Sequence, residues 1–342
     1  MNTEIHICTG ANERFMIGAT AAFVSIALSA DPKTKLHFHI FTENVEPPSV
    51  DFMRSKLLQY HQETVLEQHV CDESLLAGMP YWAGSRLSAV RVLYPYLLKD
   101  IDWVLYVDCD LLYFASPEEH WRFRDNDSYV CVTKEEHAET RQIETRWAYE
   151  RCGVMIPDRE YFNAGVMLFN LKKCREDRMP DKIQRFYVDY PDVRLPDQTA
   201  MNILFNGHKK MIPAKYDRLA LCIDDEKLSE KPVLHYVGGN PWSPKIGIVD
   251  NVRVRLWHIF CDKFLWGGQG ASYAKFFSIR TRLMKRIVYW LLKPVILGRF
   301  VASVLQVLKV THNGEGWRNS QVGCDCTLNG VEMLMSSRLA HE

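Results

Sequence analysis

Trp103-Val-Leu-Tyr-Val-Asp-Cys-Asp110 is the stretch of this 342-residue chain whose reading decides the fold. Five apolar or aromatic residues, Trp103–Val107, run without a polar break and end at two carboxylates flanking Cys109. Such a run reads as a strand buried on both faces, and strands covered on both faces belong to parallel sheets packed between helices. In those sheets the carboxyl ends of the strands open into the binding crevice, where Asp108 and Asp110 stand. Two carboxylates one residue apart can converge on a divalent cation once the strand bends. Mg2+ and Mn2+ prefer oxygen ligands and keep positions free for a substrate's phosphates. Most chance Asp-x-Asp matches are solvated turns. Here the buried strand before the pair and Leu111-Leu112 after it favour a metal site.

Upstream, residues 3–9 and 35–42 alternate apolar and polar side chains and read as strands. The small, apolar segment Phe15–Ala30 between them has helical spacing and stops at Asp31-Pro32. Strand, helix and strand within about 40 residues make a βαβ opening. Pro48–Tyr60 reads as a helix, Val65–Val70 as a strand and Arg86–Leu98 as a helix leading into the Trp103 strand. Downstream, Tyr129–Thr133 and Val166–Leu171 read as strands, with the charged stretch Lys134–Arg151 as a surface loop or helix between them. Ile183–Tyr190 and Thr199–Phe205 read as helices and Val233–Val237 as a last strand.

Four further segments carry chemistry. In Leu234-His-Tyr-Val-Gly-Gly-Asn-Pro-Trp242, His235 ends an apolar strand, and a neutral imidazole is a competent third ligand for Mn2+. Gly238-Gly239 then lets backbone approach a phosphate. A core histidine beside a turn is the plain alternative. In Tyr161-Phe-Asn-Ala-Gly165, Asn163 offers donor and acceptor, and Ala164-Gly165 leaves room beside it; a turn before a buried strand would look the same. In Leu195-Pro-Asp-Gln198, Asp197 fits an N-cap and Gln198 the first turn. Arg91 could pair with a diphosphate or a carboxylate, or lie over the sheet.

The order of these pieces, Arg91, Asp108-Cys-Asp110, Asn163-Ala-Gly165, Asp197-Gln198 and His235-x-x-Gly238, resembles glycosyltransferase family 8, and within it the bacterial lipopolysaccharide α-galactosyl- and α-glucosyltransferases. The resemblance covers about residues 3–260. It implies an α/β fold of the GT-A type, a Rossmann-like, mostly parallel sheet flanked by helices. It also implies a retaining hexosyl transfer, of glucose or galactose, from a UDP-sugar to a glycan acceptor such as the lipopolysaccharide core. By position, Asp108, Asp110 and His235 would hold Mn2+ or Mg2+, and Arg91, Asn163, Ala164, Asp197 and Gln198 would touch the donor sugar. Thr9, Gly10 and Asn12 would hold uracil and ribose, while Cys109, Gly238 and Lys245 would border the diphosphate. Gln198 and Asp197 are the catalytic candidates, with Gln198 a stabiliser of an oxocarbenium-like transition state. The chain departs from its relatives at Gly10, where they carry an acidic residue, and at Asn240, where they carry Lys; Lys245 is the nearest replacement. Two other readings stand beside the enzyme: a sugar nucleotidyltransferase, whose Gly-rich first loop Thr9–Arg14 lacks, and a weak, membrane-bound glycan-binding protein.

Formal net charge is zero, but from Lys263 to Gly314 there are nine Lys or Arg and no Asp or Glu. This block divides the chain into a catalytic domain, 1–262, and a basic, aromatic tail, 263–342, with Trp266-Gly-Gly-Gln-Gly270 as the joint. Lys275, Arg280, Arg282, Lys285 and Arg286 interleave with aromatics, as in helices that lie on anionic lipid. Lys293-Pro294 and Arg299 interrupt any spanning run. No nucleic-acid partner is expected. Ten Cys without a C-x-x-C pair and a polar N-terminus lead to the expectation of a cytoplasmic protein, peripheral on the inner face of the membrane.

Overall fold

The alternation in the first forty residues becomes two adjacent parallel strands, β1 (Glu4–Asn12) and β2 (Lys35–Glu43), joined by the helix Met16–Ser29. This computed structural model describes residues 3–81, 85–220, 225–237, 240–242 and 252–267. Strand β3 (Thr64–Val70) follows the helix Pro47–Tyr60 and pairs outside β2, while β4 (Trp103–Val107) pairs with the other side of β1. After β5 (Leu111–Tyr113) come β6 (Val130–Lys134), β7 (Phe162–Asn170) and β8 (Lys209–Met211). The main sheet has the order β3-β2-β1-β4-β7-β6-β8. Only β7 runs against its neighbours, so the sheet is mostly parallel, as the buried run Trp103–Val107 implied. A second sheet joins β5 to β10 (Val233–His235) and β9 (Arg218–Leu219).

Eleven of the fourteen residues of Met16–Ser29 are buried, which a helix lying on one sheet does not require. Small side chains let it sit between the large sheet and β5. There Ser25 Oγ accepts from the Tyr113 amide at 2.8 Å, and Ser29 Oγ donates to the Tyr113 carbonyl at 2.9 Å. On the large sheet Phe23 meets Phe38 at 4.6 Å between ring centroids. Each such buried side chain contributes roughly 1.5–3 kcal/mol.

Three stretches differ from the sequence reading, and a fourth takes one of its two alternatives. The segment Arg86–Leu98 is not one helix but a turn at Leu87–Val90, a 3-10 turn at Arg91–Leu93 and a turn at Tyr94–Leu97. Pro95 has no amide hydrogen to donate, and its ring opposes the carbonyl four residues back. Strand β7 begins at Phe162, so Asn163-Ala-Gly165 is buried strand rather than a preceding turn. Likewise β1 continues to Asn12, which makes Thr9–Asn12 a strand end rather than a loop. The charged stretch after β6 forms a helix, Ala138–Cys152, closed by Gly153 at φ 68°.

The chain divides after Gly238 into two compact units. In the second, the helix Val252–Phe264 buries Trp257, Phe260, Cys261 and Phe264, and Trp257 meets Trp242 at 5.6 Å. The composition change at Asp262 falls inside this helix. Among the described residues no helix is long and apolar enough to cross a membrane. The basic stretch from Lys275 onward lies outside the described residues.

Candidate metal and donor site

Asp110 leads directly into β5, and β5 runs antiparallel to β10 with Leu111 opposite His235. The Tyr236 amide donates to the Asp110 carbonyl at 2.8 Å, which locks the two strand ends together. As a result His235 Nε2 lies 3.3 Å from Asp110 Oδ1 and 3.7 Å from Asp108 Oδ2. One ligand atom from each of the three residues lies within 4.8 Å of the others. Two carboxylates and an imidazole suit Mn2+ or Mg2+ with positions to spare.

Two residues behind the three ligand candidates fix this arrangement, Asp217, which the sequence did not single out, and Gly165, read there only as room beside Asn163. Asp217, just before β9, accepts at 2.9 Å from His235 Nδ1, which orients the ring so that Nε2 faces the carboxylate pair. Burial pushes the Asp217 carboxyl up to about 6, against the opposing pull of His235. Burial alone would lower the His235 pKa, but the carboxylates of Asp217 and Asp110 outweigh it and hold the ring well above the usual histidine value. Gly165 is the other residue. A Cβ there would lie 2.1 Å from His235 Cε1, so only glycine leaves the ring its place.

Arg91 fastens this centre to its neighbours. It is 5% exposed, and its guanidinium reaches Asp108 Oδ1 and Asp197 Oδ2, each at 3.0 Å. It also donates to the carbonyls of Ser88 and Ala164 and lies over the Tyr106 ring at 4.4 Å. The Tyr106 hydroxyl donates to Asp108 in turn. Burial raises the Asp108 carboxyl, and Arg91 opposes that rise. One buried cation therefore ties the metal-side carboxylate to the first catalytic candidate. Each of its three guanidinium nitrogens meets a protein acceptor.

Gln198 is held at both ends. Its Oε1 accepts from the Ala164 amide at 3.1 Å, and its Nε2 lies 3.4 Å from Glu135 Oε2 and from the Tyr161 hydroxyl. Asn163 donates to the same Glu135 oxygen at 2.7 Å and accepts from the Gly165 amide at 2.7 Å. Glu135, 3% exposed, thus positions both Asn163 and Gln198. It opens a stretch rich in charge, and nothing in that pattern marked it as buried.

At the end of β1, Thr9 Oγ1 meets Cys109 Sγ at 3.6 Å, and the thiol donates to the Gly10 carbonyl at 3.2 Å. Cys109 therefore turns toward β1 and away from the carboxylate pair. Burial pushes its thiol up to about 12, so it stays protonated. Gly10 packs with little spare room, since a Cβ would lie 3.3 Å from the Leu87 carbonyl. Asn12 Oδ1 is buried with no hydrogen-bond partner among the described residues. Gly238 and Lys245 lie outside the described residues.

A mostly parallel sheet with an acid-acid-histidine cluster at the carboxyl end of a central strand is the architecture of GT-A type sugar transferases. Residues 6–245 match the profile of Glycosyl transferase family 8, and the chain belongs to that family. It is 26% identical over 257 residues to a lipopolysaccharide 1,2-glucosyltransferase of Escherichia coli, covering 69% of this chain and 73% of that protein. It is 24% identical over 258 residues to a lipopolysaccharide 1,3-galactosyltransferase of Salmonella typhimurium, covering 70% and 73%. In fold it matches the galactosyltransferase LgtC in complex with donor and acceptor sugar analogues, with a TM-score of 0.63 at 20% identity over 76% of this chain and 96% of that one. The protein is a family 8 glycosyltransferase related to lipopolysaccharide glucosyl- and galactosyltransferases.

Proposed function

We propose that this glycosyltransferase moves glucose or galactose from a UDP-sugar to a glycan or lipid-linked acceptor of the cell envelope, with retention at the anomeric carbon. The convergence of Asp108, Asp110 and His235, with Asp217 behind the histidine, is the observation that carries this reading. These residues fit Mn2+, with Mg2+ as the alternative, because oxygen donors predominate and one imidazole completes the set. A cation held by these residues would supply Lewis-acid stabilisation of the charge that develops on the departing UDP.

The chain's own groups do the rest. Arg91 holds Asp108 and Asp197 aligned through its two ion pairs. Gln198 presents a fixed amide dipole toward the donor sugar, and Glu135 and Tyr161 hold that amide still. The bond from C1 to the β-phosphate oxygen breaks and a bond from C1 to the acceptor hydroxyl oxygen forms on the same face. The hydroxyl proton passes to the departing phosphate. Gln198, on the opposite face, stabilises positive charge at C1, with covalent attack by Asp197 or Gln198 the lesser route. Thr9, Gly10 and Asn12 border the base and ribose, and the family resemblance assigns the diphosphate to Gly238 and Lys245, which lie outside the described residues. The basic tail, 263–342, associates with anionic lipid and brings the enzyme to its acceptor; a chain truncated at residue 274 that still pelleted with anionic vesicles would refute that role.

UDP-glucose and UDP-galactose, each with Mn2+, test the donor assignment. One of them should raise Tm and be turned over to UDP. If neither is hydrolysed or transferred while Mn2+ still binds, the assignment fails.

A further inference from the structure

One face of the adjacent strands β1, β2 and β3 carries a row of imidazoles. Side chains two apart on a strand share a face. The register sets His6 beside His37, His39 beside Glu67 and Phe41 beside His69. We propose that His39, Glu67 and His69 form a second cation site, distinct from the Asp108 cluster, that takes Zn2+.

The geometry is that of one face of a tetrahedron. His39 Nδ1 lies 3.1 Å from His69 Nε2 and 3.6 Å from Glu67 Oε2, and the last pair is 4.0 Å apart. Zn2+ held at roughly 2.0–2.2 Å by nitrogen and oxygen spaces its ligands about 3.3 Å from one another. A hydrogen-bonded chain of neutral imidazoles accounts for the His39–His69 contact. It does not account for Glu67, whose oxygen lies beyond hydrogen-bond reach of both rings yet at the spacing of a third ligand.

The surroundings prepare the lone pairs. His39 Nε2 meets His6 Nδ1 at 3.1 Å, an outer partner that can take the His39 proton on that side and leave Nδ1 free. Glu4 holds His37 Nε2 at 2.8 Å on the same face. Burial, helped by the neighbouring imidazoles, lowers His39 to about 3, and burial also lowers His69. Both rings are therefore neutral at pH 7, as metal binding requires. His39 is buried, while the Glu67 side chain is half exposed, so solvent supplies both a path in and a fourth ligand. Two imidazoles and one carboxylate favour Zn2+ over Mg2+ or Mn2+, the reverse of the carboxylate-rich Asp108 cluster. The site would clamp β3, an edge strand, to β2 and leave the reaction to the other centre.

The test uses the full-length chain, freed of metal by a chelator and carrying Asp110→Ala so that the donor-site cluster lacks a ligand. Calorimetric titration with Zn2+ should give one ion per chain, and Co2+ should give the strong visible bands of four-coordinate cobalt that Zn2+ then abolishes. Adding His69→Ala, or the shape-conserving Glu67→Gln, should weaken Zn2+ by more than about tenfold, the loss expected even for an outer-shell partner. Neither change alone should alter Mn2+-supported transfer in an otherwise unaltered chain. Unchanged Zn2+ affinity in both added variants, or loss of all Zn2+ binding with Asp110→Ala alone, would overturn the proposal.

Discussion

Gly165 shows how much of the centre depends on one missing side chain. Its Cα faces the His235 ring, and a methyl group there would sit 2.1 Å from Cε1 and 2.7 Å from Nδ1. Gly165→Ala should displace the ring from Asp217 and Asp110, lower kcat/KM by more than about 100-fold and cost about 1–3 kcal/mol of stability through overpacking. Steady-state kinetics with a urea melt checks both effects, and near-normal activity would mean that His235 needs no fixed position. At this scale the sequence marked the metal-facing residues but not those behind them. Asp108, Asp110 and His235 stood at strand ends in a recognisable order. Asp217 and Glu135 carry no local pattern, because the role of an orienting carboxylate is set by a contact 18 residues away for Asp217 and 28 residues away for Glu135. That a ligating histidine needs an orienting acid could have been anticipated; which acid serves it could not.

The elements follow the hydrophobic pattern closely where strands are buried and less well where function interrupts them. Trp103–Val107 has the bounds its apolar run gave, since no polar residue blurs either end. The helix read at Arg86–Leu98 breaks into short turns at Arg91 and Pro95, and this break is what carries the guanidinium to Asp108 and Asp197. Strand β7 begins earlier than its apolar density suggested, because Asn163 and Gly165 are buried through Glu135 and His235 rather than through their own hydrophobicity. The short helix Pro117–Trp121 contributes a pH dependence of its own. His120 on this helix is fully buried, bonded to the Tyr113 hydroxyl at 2.8 Å and packed on Tyr216, and burial lowers it to about 3. Its Nε2 has no partner among the described residues, so a second proton would be stranded there. The unfolded chain takes up that proton below about pH 6.5, while the folded chain resists it until about 3. Stability from this group is therefore complete above pH 6.5 and declines as pH falls, by up to about 1.4 kcal/mol per pH unit. Urea melts at pH 7 and pH 5 should show this loss, and His120→Gln should flatten it. An unchanged slope in the variant would place the acid sensitivity elsewhere.

Across the whole molecule, the βαβ opening and the one buried central strand were enough to read a mostly parallel α/β sheet. The reversal of β7 and the short partners of the last strand in the small sheet, β5 and β9, were not legible, because two- and three-residue strands have too few positions to show a period. Yet that small sheet brings His235 and Asp217 to the Asp108-Cys-Asp110 end of β4, so the least legible part of the fold assembles the candidate centre. Family membership makes the chain a glycosyltransferase, and the cluster makes a divalent cation the expected requirement for its activity. The most direct measurement is UDP release from UDP-glucose and UDP-galactose with and without Mn2+, in the wild-type chain and in Asp110→Ala. Turnover of one donor that depends on Mn2+ and falls by at least about 1000-fold in the variant, with an unchanged circular-dichroism spectrum, is the predicted result; loss of a metal ligand removes leaving-group stabilisation worth several kcal/mol. Undiminished turnover in Asp110→Ala, or equal turnover in the presence of a chelator, would contradict it.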